Sequence, residues 1–320
     1  MKINQISKGS SIDTPQALQT LAVSEFVSQF PLANFIEFYQ ITGNADTPRK
    51  VDAGITAGDT RTIGTDYTAK SNTPGFGAIA LKIYGDKVKT DIAYQRRGID
   101  IGSQRAMDLA NFSRSLGRYF MNAIINDELG VETFSGVKEQ ATALSRKIVY
   151  SSDNGGSLPS GNGNTEVKAQ MAFLETLDSQ IEDVMNGPMV ILANGAFIAR
   201  LESIGKNFVN TSIAQDIYGT NQVVKSYKGI PLVNAGFKAD ASGLVIPNNE
   251  VEGTSSDCTS IYLLRFGEMQ DITFATNVGL DIKDLGLVGT EYITMVEFDV
   301  DMAVLNDKAF KRIAGIRLSA

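Results

Sequence analysis

The sequence has no histidine among its 320 residues. That removes the commonest metal ligand, the commonest general base and every nucleophilic site of the Ser-His or Cys-His kind. It has one cysteine, Cys258, so neither an internal disulfide nor a thiolate metal cluster can form. The chain is compatible with a reducing compartment. Cys258 lies in the polar run Ser-Ser-Asp-Cys-Thr and reads as a loop thiol with no neighbouring positive charge to activate it. Long apolar runs are missing as well. Met189–Ala193 is among the longest, against about 20 residues for a membrane span. The first residues, MKINQISKGSSIDTPQ, lack the apolar centre of a signal peptide. The sequons at Asn111-Phe112-Ser113 and Asn210-Thr211-Ser212 therefore have no secretory context. There is no surplus of positive charge: 36 Asp/Glu against 29 Lys/Arg give −7. Residues 240–320 hold 13 acidic and 6 basic side chains, and the first 239 hold 23 of each. This argues against a basic nucleic-acid groove and reads as a solvated acidic face.

What is present is organised around Ser103–Gly130. Met107, Leu109, Ala110, Phe112, Leu116, Tyr119, Phe120, Ala123 and Ile124 recur at three- and four-residue steps, which places them on one side of a helix. Ser103 is placed to cap its start, and Gly130 to end it in the left-handed conformation. Seven turns make a rod of about 40 Å. Gly117 in its middle costs about 1 kcal/mol against Ala, which points to a close approach or a bend.

Residues 1–13 are polar and unpatterned and read as a loose arm. Thr14-Pro15 reads as the cap and first position of a helix whose stripe is Leu18, Leu21, Ala22 and Phe26, with Pro31 ending it. Leu32–Tyr39 is aromatic-rich and needs burial, against its own chain or a neighbour's. Thr60–Lys70 and Ala78–Ala93 are rich in Thr, Ile, Tyr and Val and flank the turn signal SNTPGFG, which predicts a long two-stranded hairpin. Residues 51–93 carry five Lys/Arg and five Asp/Glu. A ribbon this polar is marginal alone in water and needs a partner surface.

Further on, the pattern predicts a strand at Arg146–Tyr150, a Gly/Ser/Asn loop over Ser151–Asn164, and a helix over Glu166–Met185 capped by Thr165. A strand at Met189–Ala193 leads to a helix at Gly195–Ile204 capped by Asn194. Strands follow at Tyr227–Asn234, Gly243–Ile246, Ser260–Leu264, Asp271–Ala275 and Gly279–Ile282. In Glu291–Val304, Tyr292, Thr294, Val296, Phe298, Val300 and Met302 share one face of a long strand. Helices and strands mix without a βαβ beat, so the class is α+β.

Chemistry is sparse. Gly156-x4-Gly161 is followed by Asn162-Gly163, not by the Lys and Ser/Thr of a phosphate loop. Asp299 and Asp301 share a strand face, but a hard cation needs more oxygen ligands, so the pair reads as a wetted surface. Asp281 and Asp284 have the same standing. No nucleophile is paired with a base. The sequence names no catalytic, cofactor-binding or metal-ligating residue, and its profile suits a self-assembling structural protein better than an enzyme.

The order of parts, and the stretches IAYQRRGIDIGSQRAMDLANF, INDELGVETFSGV, PMVILANGAFIARLESIG, YKGIPLVNAG, YLLRFGEMQDITFATNVGLDI and DMAVLNDKAFKRI, resemble the major capsid proteins of tailed bacteriophages, with their Hong Kong 97-type fold. The resemblance is one of order and texture and runs over about the whole chain. It implies an N-terminal arm at 1–50, an extended loop at 51–93, a peripheral domain of 94–185 with 288–320 that contains the spine helix 103–130, and an axial domain at 186–287. It also implies pentamers and hexamers of an icosahedral shell around double-stranded DNA enclosed without sequence-specific contact. The virion is then assembled in the bacterial cytoplasm, with a portal and decoration proteins as possible partners and no membrane.

Some members carry a long N-terminal scaffolding region. With only residues 1–50 before the hairpin, a separate scaffold protein, or none, is expected here. Some members join a hairpin Lys to a neighbour's Asn. Lys70 and Lys82 lie in this hairpin, but no matching Asn and activating Glu stand out. Two other readings stand beside this one: an encapsulin-like shell enclosing an enzyme, and a metal-dependent hydrolase using Asp299 and Asp301, against which the absence of histidine counts.

Overall fold

The computed structural model describes residues 9–10, 16–51, 58–70, 75–208, 213–214 and 224–318. In chain order they form β1 (Gly9–Ser10), α1 (Gln16–Ser28), a 3-10 turn (Pro31–Asn34), β2 (Phe38–Gln40), β3 (Ala45–Asp46), β4 (Ile79–Ala80), β5 (Lys82–Asp91), α2 (Ala93–Arg96), α3 (Ile101–Asn126) and α4 (Val137–Ala143). Then come β6 (Lys147–Val149), β7 (Gly156–Ser157), α5 (Asn164–Glu182), β8 (Val190–Ala193), α6 (Gly195–Phe208), β9 (Ile213–Ala214), β10 (Val224–Tyr227), β11 (Ile230–Asn234), β12 (Glu250–Glu252), β13 (Ser255–Leu264), β14 (Ile272–Val288), β15 (Glu291–Val304) and β16 (Phe310–Arg317). The expected Thr14-Pro15 cap and most of the loose stretch 1–13 lie outside the described residues.

The first sheet is built on β15. Its strict alternation sends Thr294, Val296, Phe298, Val300 and Met302 into the core. β14 pairs antiparallel along it from Ile272 opposite Val304 to Val288 opposite Glu291. β5 pairs antiparallel on the other side, from Asp91 opposite Glu291 to Lys82 opposite Val300. β1 and β2 run parallel to β14. The expected strands at 271–275 and 279–282 are one strand, β14, joined through a register shift between Thr276 and Leu280.

The long helix, α3, packs between this sheet and α1. Its cap is Asp100, not Ser103: the Asp100 carboxylate accepts the Ser103 amide at 2.9 Å and the Ser103 hydroxyl at 2.6 Å. Leu109, Leu116, Phe120, Ala123 and Ile124 are buried as expected, but Met107 and Tyr119 are exposed. Ser113, Gly117, Met121 and Ile125 are buried instead, because α1 covers that flank. The helix ends at Asn126, four residues before Gly130. Asp127 turns extended, its carbonyl accepting from the Gly136 amide at 2.8 Å, and the Leu129 amide donates to Glu139 at 2.8 Å. Those bonds draw the chain off the helix axis.

Gly117 marks the close approach. A β-carbon there would lie 2.5 Å from the Phe26 carbonyl oxygen of α1. Gly117→Ala gains about 1 kcal/mol of helix propensity but overpacks at a cost of about 1–3 kcal/mol. We expect a net loss of about 1 kcal/mol in urea unfolding. A raised midpoint would show that the two helices part freely. The aromatic segment after Pro31 is buried in its own chain: Leu32, Phe35 and Phe38 all join the α1–α3 core.

The second sheet runs β6-β16-β13-β8-β11-β10-β9, with β12 on β13 and β7 on β16. β13 is covered on both faces. Ile261 and Leu263 face Phe173 and Leu177 of α5 and Phe197 and Leu201 of α6, while Tyr262 and Leu264 join the α3 core. That explains the unbroken apolar run SIYLL. Asn194 caps α6 as expected, its side-chain oxygen accepting the Phe197 amide at 2.8 Å. α5 differs: Gly163, not Thr165, is its cap, and it ends at Glu182 rather than Met185. Residues 243–246 form no strand, only a single bridge between Phe237 and Leu244. The segment Ser151–Asn164 is not all loop, since β7 pairs with β16 inside it.

The long hairpin is the largest correction. Its second arm is split into β4 and β5, and β5 belongs to the first sheet, paired to β15 about two hundred positions away. Residues 58–70 of its first arm form no strand.

Candidate assembly surface

The projecting segment stands on a narrow foot. β3 and β4 pair antiparallel, Ala45 opposite Ala80 and Asp46 opposite Ile79. Beyond them the Gly77 amide donates to Pro48 O at 2.8 Å, Arg49 bridges Phe76, and the Lys50 amide donates to Gly75 O at 2.8 Å. The Val51 amide reaches Leu305 O at 2.7 Å. Ile79 and Leu81 are buried with Ile41, Ala275, Ala303 and Leu305 beneath the foot. The chain therefore leaves at residue 51 and returns at residue 75 through two adjacent backbones.

Every residue of the described stretch 58–70 is exposed. Ile63 is fully exposed, and Tyr67 is 57% exposed with the Arg61 guanidinium 5.6 Å from its ring centroid. Arg61 also donates to the Thr65 carbonyl at 3.1 Å. A second exposed apolar area lies along β5 and the end of α3: Ile83, Tyr119, Leu129 and Val131. Between β5 and α3 is an open groove of about 460 Å³ floored by Phe112 and Leu116. Lys82 at its side donates to the Val131 carbonyl at 2.9 Å.

The carboxylates singled out from the sequence are dispersed. Asp301 is not on a wetted face: it is buried, its two oxygens accept the amides of Ala80 and Met302 at 2.7 and 2.8 Å, and burial pushes its pKa up. Asp299 accepts the side-chain amide of Asn277 at 3.1 Å. Asp284 pairs with Arg105 at 2.7 Å, and Asp281 with Lys283 at 2.8 Å. Among the described residues no three His, Cys, Asp or Glu side chains come together to hold a metal. Nor is the acidic C-terminal stretch wholly solvated: Glu250, Glu252 and Asp271 are buried too, and Glu250 pairs with buried Arg312 at 3.1 Å.

Cys258 is on β13, not in a loop, and is buried opposite Glu250 and Arg317. Burial first, then Asp257, pushes its thiol pKa up, against a smaller pull from Arg317. The folded subunit is expected to resist a maleimide at neutral pH and to react fully once unfolded, read by mass spectrometry. Native labelling as fast as that of a free thiol would contradict this placement.

No protein-family model matches the sequence, and neither does any curated protein. Solved structures do match. The holo-SrpI encapsulin complex from Synechococcus elongatus PCC 7942 is similar at TM-score 0.61 and 14% identity, covering 89% of this chain and 87% of that one. A structure from Mycobacterium phage Bobi is similar at TM-score 0.55 and 10% identity, covering 92% and 90%. The capsid of a native GTA particle is similar at TM-score 0.52 and 13% identity, covering 91% of each.

The chain has the Hong Kong 97-type fold. The α+β Hong Kong 97-type architecture expected from the order of segments is thus the one observed. Within it the sequence located the long helix. It missed the two-backbone foot, the burial of Asp301 and the membership of β5 in the first sheet. In the sequence Ile79, Leu81 and Ile83 alternate without a break, so the change of face between buried Leu81 and exposed Ile83 left no local signal of that foot.

Proposed function

We propose that this chain is the self-assembling shell subunit of a tailed-phage head, the major capsid protein that closes as pentamers and hexamers around packaged double-stranded DNA. One observation carries the reading: a Hong Kong 97-type fold presents an exposed segment with apolar and aromatic side chains, residues 58–70, on a hydrogen-bonded foot. Such side chains are covered when a neighbouring copy repeats the same contact around a symmetry axis. The exposed Ile83, Tyr119, Leu129 and Val131 support a second such contact area.

In this reading residues 1–50 are the arm and 51–75 the intersubunit loop. Residues 94–185 with 288–320 form the peripheral domain, with β5 now added to it, and 186–287 form the axial domain. DNA is enclosed without a sequence-reading groove, in keeping with the net charge of −7. The role is structural, with no catalytic, cofactor or metal residue assigned. The subunit assembles in the host bacterial cytoplasm into the virion, with a portal, decoration proteins and either a separate scaffold or none. Among the described residues no helix is long and apolar enough to cross a membrane.

The likeness to an encapsulin favours a second reading, a nanocompartment that encloses an enzyme. Electron microscopy of particles from the native source, with assay of nucleic acid and mass spectrometry of contents, separates the two. Closed shells containing DNA support the head; closed shells containing one enzyme and no genome support the compartment. A persistent monomer overturns both.

A further inference from the structure

We infer that Asp301 is a positioning residue for assembly: its carboxylate fixes the direction in which the loop 51–75 leaves the subunit. The inference rests on the shell reading above. β5 follows β15 in register as far as Lys82 opposite Val300. One more step would bring Leu81 opposite Asp301. Instead the chain turns away there: the Leu81 amide donates to Asn44 O at 2.9 Å, and Ala80 pairs with Ala45 of β3. At this departure the backbone of β15 no longer serves the incoming strand. The Asp301 side chain does, taking the Ala80 amide at 2.7 Å.

Its other oxygen is held by the Met302 amide at 2.8 Å, so the carboxylate is fixed from both sides. Asp301 is 7% exposed and stands beside the cluster of Ile79, Leu81 and Leu305. Lys82 is the cation that acts on it, and Asp46, bonded to the Tyr39 hydroxyl, is the next carboxylate along the foot. A buried carboxylate is costly unless its oxygens are satisfied, and an apolar side chain would pack in its place without that cost. What the carboxylate supplies is the bond to Ala80, which joins the first sheet to the foot. The ladder from Ala80 through Gly77 and Gly75 carries that orientation to residues 51 and 75, the two ends of the loop.

The test compares wild-type chain, Asp301→Ala and Asp301→Asn by hydrogen exchange on the unassembled subunit and by shell yield in electron microscopy. Asp301→Ala should raise exchange of the 75–82 stretch about tenfold, leave the β14–β15 ladder unchanged, and cut shell yield about tenfold. Asp301→Asn keeps one carbonyl acceptor and the shape of the side chain. It should restore much of both readouts. The inference is overturned if 75–82 exchanges alike in all three chains, or if Asp301→Ala loosens that stretch yet shells form at the wild-type yield. If Asp301→Ala does not fold, Asp301→Leu, which fills the site without an acceptor, takes its place: faster exchange at 75–82 with a lower shell yield supports the inference, and wild-type values in both overturn it. A wild-type chain that forms no shells refutes the shell reading, and the exchange readout then stands apart from it.

Discussion

A chain in which residues 52–74 are replaced by a three-residue Gly-Ser-Gly turn is expected to fold like the parent and to form almost no closed shells. The replacement is geometrically simple, because the Lys50 amide already donates to Gly75 O at 2.8 Å. A short turn closes two backbones at that separation. Val51, whose amide holds Leu305 O, is kept. The cut must stop before Gly75, since a deletion reaching Leu81 would remove buried Ile79 and Leu81 and the foot itself. Residues 58–70 are all exposed, so their removal takes no apolar area out of the core. Stability should change by no more than about 0.5 kcal/mol, the usual range for surface changes. Shell yield should fall more than tenfold, because Ile63, Tyr67 and Arg61 can no longer reach a neighbour. Calorimetry beside size-exclusion and electron microscopy reads both quantities. Normal closed particles would sink the intersubunit role. Failure to fold would mean that the loop packs on its own subunit.

Legibility followed the range of the interaction. β15 was readable to the residue, Glu291–Val304, because half-burial imposes a period of two that the sequence carries locally. Asn194 as a helix cap was readable for the same reason: the bond to the Phe197 amide spans three positions. The long helix was readable, but its face was not fully so. Met107 and Tyr119 fit the helical period and still lie outside, since which flank α1 covers is settled by Gly117 meeting Phe26 across 91 positions of chain. Gly130 had the composition of a helix end, but tertiary bonds to Asp127 and Leu129 stopped the helix sooner. The ribbon failed most clearly. Thr60–Lys70 and Ala78–Ala93 both have strand composition and a turn between them, and local pattern pairs neighbours in sequence. The structure pairs the second arm with β15 instead. Asp301 and Cys258 were placed in water by their polar neighbours. Both are buried, because a strand's inward positions are fixed by its partners, which lie far away in sequence.

Phe120→Ala is expected to cause the largest loss of stability of any change considered. Phe120 is fully buried on α3, where five other rings meet. Its centroid lies 5.1 Å from Phe30, 5.2 Å from Phe298, 5.9 Å from Tyr84, 6.2 Å from Phe26 and 6.3 Å from Phe134. These rings come from α1 and the chain after it, from β5, from the turn after α3, and from β15. Truncation removes the ring's transfer energy and leaves a cavity, about 3–5 kcal/mol for Phe→Ala in a core. The walls have little freedom to close in. The Tyr84 hydroxyl donates to Asp127 at 3.2 Å and accepts the Phe134 amide at 3.3 Å, and Gly117 already holds α3 against α1. The loss should therefore fall at the upper end of that range, a large share of a typical stability of about 5–15 kcal/mol. Phe120→Leu, which keeps most of the volume, should lose clearly less. Urea unfolding with unchanged slope reads the difference; a loss below about 1 kcal/mol for Phe120→Ala would show that the rings do not depend on their centre. The consequence for assembly is opposite in kind to that of the loop replacement. Fewer folded Phe120→Ala subunits should be available, but the shells that form should have normal size and shape, because the exposed segment and its foot are untouched.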